Sequence, residues 1–99
     1  MFRAMKIPDR FLRGPGEPIG AFPCPCCHFL TLDEPPPGTY DICSICGWED
    51  DPVQFDDPDY KGGANRPSLN ECRNRFEVEQ LPELRQSGFN FPPRAEPIE

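Results

Sequence analysis

Two Cys-x-x-Cys pairs, a Ser-x-x-Glu capping box ahead of an apolar helical stripe, and a hydrophobic content of 36% together predict a small α+β metal-stapled domain. Its expected parts are zinc-ribbon-like β-hairpins carrying two Cys knuckles, one covering α-helix and irregular tails. The knuckles are the element around which the rest is arranged.

Cys24-Pro25-Cys26-Cys27 and Cys43-Ser44-Ile45-Cys46 read as C-x2-C-x15-C-x2-C, a spacing characteristic of a tetrahedral zinc site. Two residues inside each pair let a tight turn aim both sulfurs into one hollow, where each Zn–S bond is about 2.3 Å. Pro25 presets φ for the first turn, and Gly47 accepts positive φ after the second. One structural Zn²⁺ on Cys24, Cys27, Cys43 and Cys46 is therefore expected. Cysteines that merely pack seldom fall into two matched pairs. The spacing alone leaves three alternatives open: Cys26 in place of Cys24 or Cys27, His28 in place of a cysteine, and rubredoxin-like iron in place of zinc. Cys72 reads most simply as a small buried hydrophobe.

Composition explains why a staple is needed. Ninety-nine residues with 15 prolines and 8 glycines leave little room for long regular elements or a generous core. A structural zinc contributes on the order of 10 kcal/mol of apparent binding free energy, comparable to the whole stability of such a domain. The 6 cysteines also allow three disulfides. Against that, Met1 to Gly20 holds no apolar run long enough for a secretory segment, and no transmembrane stretch occurs. A reducing cytoplasm, with thiols kept available for metal, is the expected location.

The formal net charge is −7, and a zinc on four thiolates would take it to about −9. Nucleic acid is an unfavourable partner for such a chain, because affinity for it comes from neutralising phosphates with Lys and Arg. A protein partner with a basic surface is favoured instead.

Along the chain, residues 1–21 are punctuated by Pro8, Gly14-Pro15-Gly16, Pro18 and Gly20 and read as a flexible, mildly basic tail. Residues 22–80 form the domain. Within it His28–Leu32 is expected as a strand, 33–39 as a loop and Tyr40–Ile42 as the strand that returns to pair with it. Residues 49–59 form an acidic loop with Glu49, Asp50, Asp51, Asp56, Asp57 and Asp59, kept from helix by Pro52 and Pro58. These six carboxylates are the candidate partner-binding residues. Their spacing does not follow the ligand scheme of a calcium loop, and Gly62-Gly63 lacks the pattern of a phosphate loop. Trp48, Phe55 and Tyr60 stand as aromatic anchors at the edge of the acidic loop, or, for Trp48, as core.

Ser68 and Glu71 form a capping box, so a helix is expected from about 69 to 80, ending before Pro82. Leu69, Cys72 and Phe76 fall on one face of it. Residues 81–99 read as a Pro-rich extension with one helical turn, Glu83 to Ser87, closed by Gly88; Phe89, Phe91 and Ile98 lie extended beyond.

Phe22-Pro-Cys-Pro-Cys-Cys27, Leu30-Thr-Leu32, Pro36-Pro-Gly38, Tyr40-Asp-Ile-Cys43, Trp48-Glu-Asp-Asp51, Asp57-Pro-Asp59, Gly62-Gly-Ala-Asn65 and Ser68-Leu69 resemble the small bacterial cysteine-rich CPCC proteins. The resemblance covers residues 22 to about 76. It implies a zinc-ribbon-like domain with Cys24, Cys27, Cys43 and Cys46 as ligands, and no established enzyme activity. The chain departs from the pattern at His28, where Gly is usual, and at Cys72, where a small residue is usual.

The expected function is a non-catalytic zinc-binding protein-interaction module. By analogy with other small acidic bacterial proteins, it would be an immunity protein that neutralises a basic toxin. Alternatives are a zinc ribbon in a transcription or nucleic-acid-associated complex, and a thiol or metal-handling redox protein using Cys26 or Cys72.

Overall fold

The computed structural model describes residues 17–95. Most of the stretch read as an N-terminal tail, and Ile98, lie outside them. Residues 17–21 do not hang free: the N–H groups of Ile19 and Gly20 both donate to the Leu30 carbonyl, at 3.1 and 2.9 Å.

Strand β1 (Phe22–Pro23) pairs antiparallel with β2 (Leu30–Leu32), matching Phe22 with Leu32 and Pro23 with Leu30 across an irregularity. The first knuckle is the turn between them. The expected partner of β2, Tyr40–Ile42, instead folds back on its own following segment, with Ile42 bridging Glu49 around the second knuckle. Each knuckle thus closes its own short hairpin. The reason is local. A Cys-x-x-Cys turn reverses the chain within a few residues, so the flanking segments meet before a loop of seven residues can bring β2 to residue 40.

The acidic loop also departs from expectation. Helix α1 spans Pro52–Asp56, with Pro52 in its first turn, where the missing N–H costs nothing. Asp51 caps it, its Oδ1 accepting from Val53 N at 2.7 Å and from Gln54 N at 3.4 Å.

Helix α2 (Leu69–Arg75) begins at the Ser68–Glu71 capping box, with both reciprocal bonds formed. It does not stop before Pro82. A π-helical turn, Phe76–Gln80, leads into α3 (Leu81–Ser87), where Leu81 N–H bonds to Phe76 O. Pro82 has no N–H and its ring would press on the Val78 carbonyl in a regular helix; the widened turn relieves both problems. The inserted residue also places Leu81 where α-helical spacing would have placed Gln80. Leu69, Phe76 and Leu81 are all buried on one face, with Leu84 packed beside them. Gly88 closes α3 in the left-handed conformation at φ 82°.

Residues 81–95 are accordingly part of the domain rather than an extension. Beyond Gly88 the chain returns to the first knuckle. Leu30 N donates to Pro93 O at 2.9 Å and Ala95 N to His28 O at 2.7 Å, with Phe29 and Arg94 paired antiparallel. Phe91 stacks on Phe29 at 5.0 Å, and Phe29 meets Phe76 edge-on at 6.1 Å.

The core consists of Cys24, Cys26, Cys27, Phe29, Cys43, Trp48, Leu69, Phe76 and Leu81. Four of these nine are cysteines, so the knuckles are core as well as site. Burying a Leu or Phe contributes about 1.5–3 kcal/mol, and Leu69 and Phe76 gain theirs in the same cluster as the knuckle cysteines.

Candidate metal centre

The two knuckles repeat one geometry. In the first, Cys24 N bonds to Phe29 O at 3.0 Å and His28 N to Cys24 O at 2.8 Å. In the second, Cys43 N bonds to Trp48 O and Gly47 N to Cys43 O, both at 2.9 Å. Backbone N–H groups turn inward onto sulfur: Cys26 N donates to Cys24 Sγ at 3.3 Å, and Ile45 N and Cys46 N to Cys43 Sγ at 3.4 Å. The Thr31 hydroxyl adds a donor to Cys43 Sγ at 3.2 Å. Such donors favour the thiolate.

The sulfurs of Cys24, Cys27, Cys43 and Cys46 all lie within 4.8 Å of one another. Cys24 and Cys46 are 3.6 Å apart, and Cys27 and Cys43 3.7 Å, close to the edge of about 3.8 Å in a tetrahedral four-thiolate site. Cys26 takes the second spacer position of its knuckle, equivalent to Ile45. It is buried, but it is not among the clustered sulfurs. Neither is His28, nor Cys72, which packs half-buried against the core from α2.

Electrostatics supports a cation in this hollow. Hydrogen bonds from Cys24, Cys27 and Cys46 hold the Cys43 thiol well below its ordinary pKa. Hydrogen bonding with Cys24, Cys43 and Cys46, together with burial, pushes Cys27 far above its own. Four thiolates brought this close in a buried hollow would repel one another, and a bound cation relieves that repulsion.

The first knuckle is clamped from outside by two arginines distant in sequence. Arg73 Nε on α2 donates to Pro25 O at 3.0 Å, and Arg94 Nε to Cys27 O at 2.9 Å. Arg94 also pairs with Glu77 and lies over the Phe29 ring at 4.8 Å. His28 sits between them, and burial, then the charges of Arg73 and Arg94, hold its pKa below the ordinary value. Neither arginine was legible as part of the site.

The six acidic residues separate into two groups. Asp50 and Asp51 are 0% and 6% exposed, which removes them from any partner-facing set. Asp50 Oδ2 accepts from Thr39 N and Oγ1 at 2.9 and 2.8 Å. Asp51 caps α1 and its Oδ2 accepts from Ala64 N at 2.8 Å. A Cβ on Gly63 would sit 2.5 Å from that same oxygen, so this glycine permits a close approach rather than cradling an anion. Buried Gln54 receives Asn65 N and Nδ2 on its Oε1, both at 3.0 Å, and its Nε2 lies 3.0 to 3.1 Å from the carbonyls of Tyr60, Asn65 and Pro67. Gln54 and Asn65 thereby hold the 60–67 loop. A lone Gln in an acidic stretch carries no sequence signal for that role. Asp56, Asp57 and Asp59 are exposed and Glu49 half-buried. Trp48 is core at 2% exposure, whereas Phe55 and Tyr60 are exposed.

A buried cage of four cysteines on paired knuckles, under a covering helix, defines a small metal-binding domain of the cysteine-rich class. The family model for cysteine-rich CPCC proteins matches residues 22–91, and the chain belongs to this family. No curated protein matches it. Among the described residues, no helix is long and apolar enough to cross a membrane.

Proposed function

We propose that the chain is a non-catalytic zinc-stapled module that binds a protein partner through its acidic face, and that it acts as an immunity protein against a basic toxin. The observation that carries the zinc reading is the closure of the site. Cys24, Cys27 and Cys43 are at most 1% exposed, and four cysteine ligands complete a tetrahedron. Catalytic zinc keeps one of its four positions for water or substrate, with three protein ligands. A closed four-thiolate zinc serves the fold.

The protein-binding half of the reading rests on charge. The net charge is −7, and Asp56, Asp57 and Asp59 are exposed close together, with Glu49 at the edge. Two of the arginines otherwise available for a basic stripe on nucleic acid, Arg73 and Arg94, are engaged by knuckle carbonyls. A cytoplasmic location follows from a thiol-based metal site.

The test is co-expression with the products of the neighbouring reading frames. One of them should inhibit growth alone and lose that effect when this chain is present. The Asp56→Asn, Asp57→Asn, Asp59→Asn variant should keep its zinc but protect less well, and its binding should depend less on salt. Protection that is absent, or that survives neutralisation intact, overturns the proposal.

A further inference from the structure

Helix α1 is built inside out. Its buried residue is Gln54, which is 0% exposed, while Val53 and Phe55 on either side are 54% and 40% exposed. A surface helix ordinarily turns its apolar residues inward. Here the inward position is given to a glutamine that ties down the 60–67 loop, and the apolar side chains line an open groove of about 490 Å³ with Pro37, Pro52, Asp56 and Asp57. The floor is held firm on three sides. Asp51 caps the helix, Gln54 anchors it, and Asp50 ties the residue 39 turn to it. An open apolar groove with a charged rim on a well-anchored helix loses little in ordering when a partner binds.

We propose that this groove docks a basic protein segment, seating one apolar side chain against Val53, Phe55 and Pro37 while flanking Lys or Arg side chains meet Asp56 and Asp57. The charge argument selects this occupant. Residues 49–60 contain no Lys or Arg, and the next cation along the chain, Lys61, is paired with Glu71 at 3.2 Å. The groove holds one or two side chains, so specificity comes from a single anchor and affinity from the charged rim. The inference rests on the protein-binding reading above and names the place where that binding occurs.

The test uses the full-length zinc-loaded chain, labelled with ¹⁵N, and a synthetic peptide with a central Leu-Trp between two Lys-Arg pairs. Amide shifts should change at Gly38 and across residues 53–57. Affinity should fall at least tenfold with Phe55→Ser, with Asp56→Asn plus Asp57→Asn, with Ser-Ser in place of Leu-Trp, or with Glu in place of the basic residues. All variants should retain zinc and shift dispersion, since none of these side chains is core. Shift changes confined to another surface would overturn the groove while leaving the protein-binding reading standing. No shift change at millimolar peptide, or equal binding by the acidic peptide, also overturns it; toxin neutralisation then decides separately whether the protein binds a partner at all.

Discussion

His28 and Gly47 occupy equivalent positions, one residue past the second cysteine of each knuckle, and both are left-handed, at φ 70° and 84°. Each donates its N–H to the carbonyl of its knuckle's first cysteine. Glycine adopts this conformation without strain, whereas a residue with a Cβ held there costs on the order of 1 kcal/mol or more.

His28→Gly should therefore stabilise the zinc-loaded protein by about 1 kcal/mol, raising Tm by about 4–8 °C. Zinc content should be unchanged, because His28 is not among the clustered donors. A melt that drops, or a loss of metal, would show that the imidazole does more than tolerate its backbone.

The cysteines divide four and two. Changing Cys24, Cys27, Cys43 or Cys46 singly to Ser should abolish stoichiometric zinc by elemental analysis, while Cys26→Ser and Cys72→Ser should retain one zinc per chain. Chelation should have the same consequence as losing a ligand. Since Leu69 and Phe76 are fully buried in a core that includes Cys24, Cys27 and Cys43, removing the ion should release the helix over 69–87 together with both hairpins. Retained amide shift dispersion in the chelated protein would contradict this.

Arg94→Ala should cost about 2–3 kcal/mol in denaturant unfolding of the zinc-loaded protein, by leaving the Cys27 carbonyl without its charged donor and uncovering the Phe29 ring. Zinc exchange should accelerate. Arg94→Lys should restore little, since an ammonium cannot reproduce the Nε bond while also pairing with Glu77. Full restoration by Lys would reduce the contact to simple charge.

Asp51 supplies the pH prediction. Backbone N–H groups, first of Ala64 and then of Val53 and Gln54, hold its carboxyl below the ordinary value. A depressed folded-state pKa contributes stability that is present above the unfolded value of about 3.9 and lost as pH falls through the folded value. Asp51→Ala should cost about 2 kcal/mol by removing the cap and the loop bond. That deficit should stay constant from about pH 8 to pH 5. In the wild type, a ¹³C titration of the Asp51 carboxyl should give a midpoint below 3.9. A midpoint at or above the free value would mean that these bonds do not favour the charged form.

What the sequence determined by itself was what short range controls. Two residues between cysteines force a knuckle, and Ser68 with Glu71 forces a helix start, because each feature is satisfied within four residues of itself. A low apolar content made a staple necessary wherever the helix went. The tertiary structure decided what depended on partners far along the chain. Pro82 reads locally as a stop, yet Leu81 and Leu84 gain burial by continuing, and a π turn resolves the conflict; the gap of five from Phe76 to Leu81 was the only trace. Asp50 and Asp51 look like the solvated charges around them. They are buried with Thr39 and Ala64, 11 and 13 residues away, each supplying an N–H to one carboxylate oxygen, while Asp50 Oδ1 meets no partner among the described residues. Arg73 and Arg94 reach the first knuckle across 48 and 67 residues, distances over which no periodicity or spacing carries information. Packing alone selects such contacts, once the cysteine-bearing hairpins offer carbonyls for them to meet.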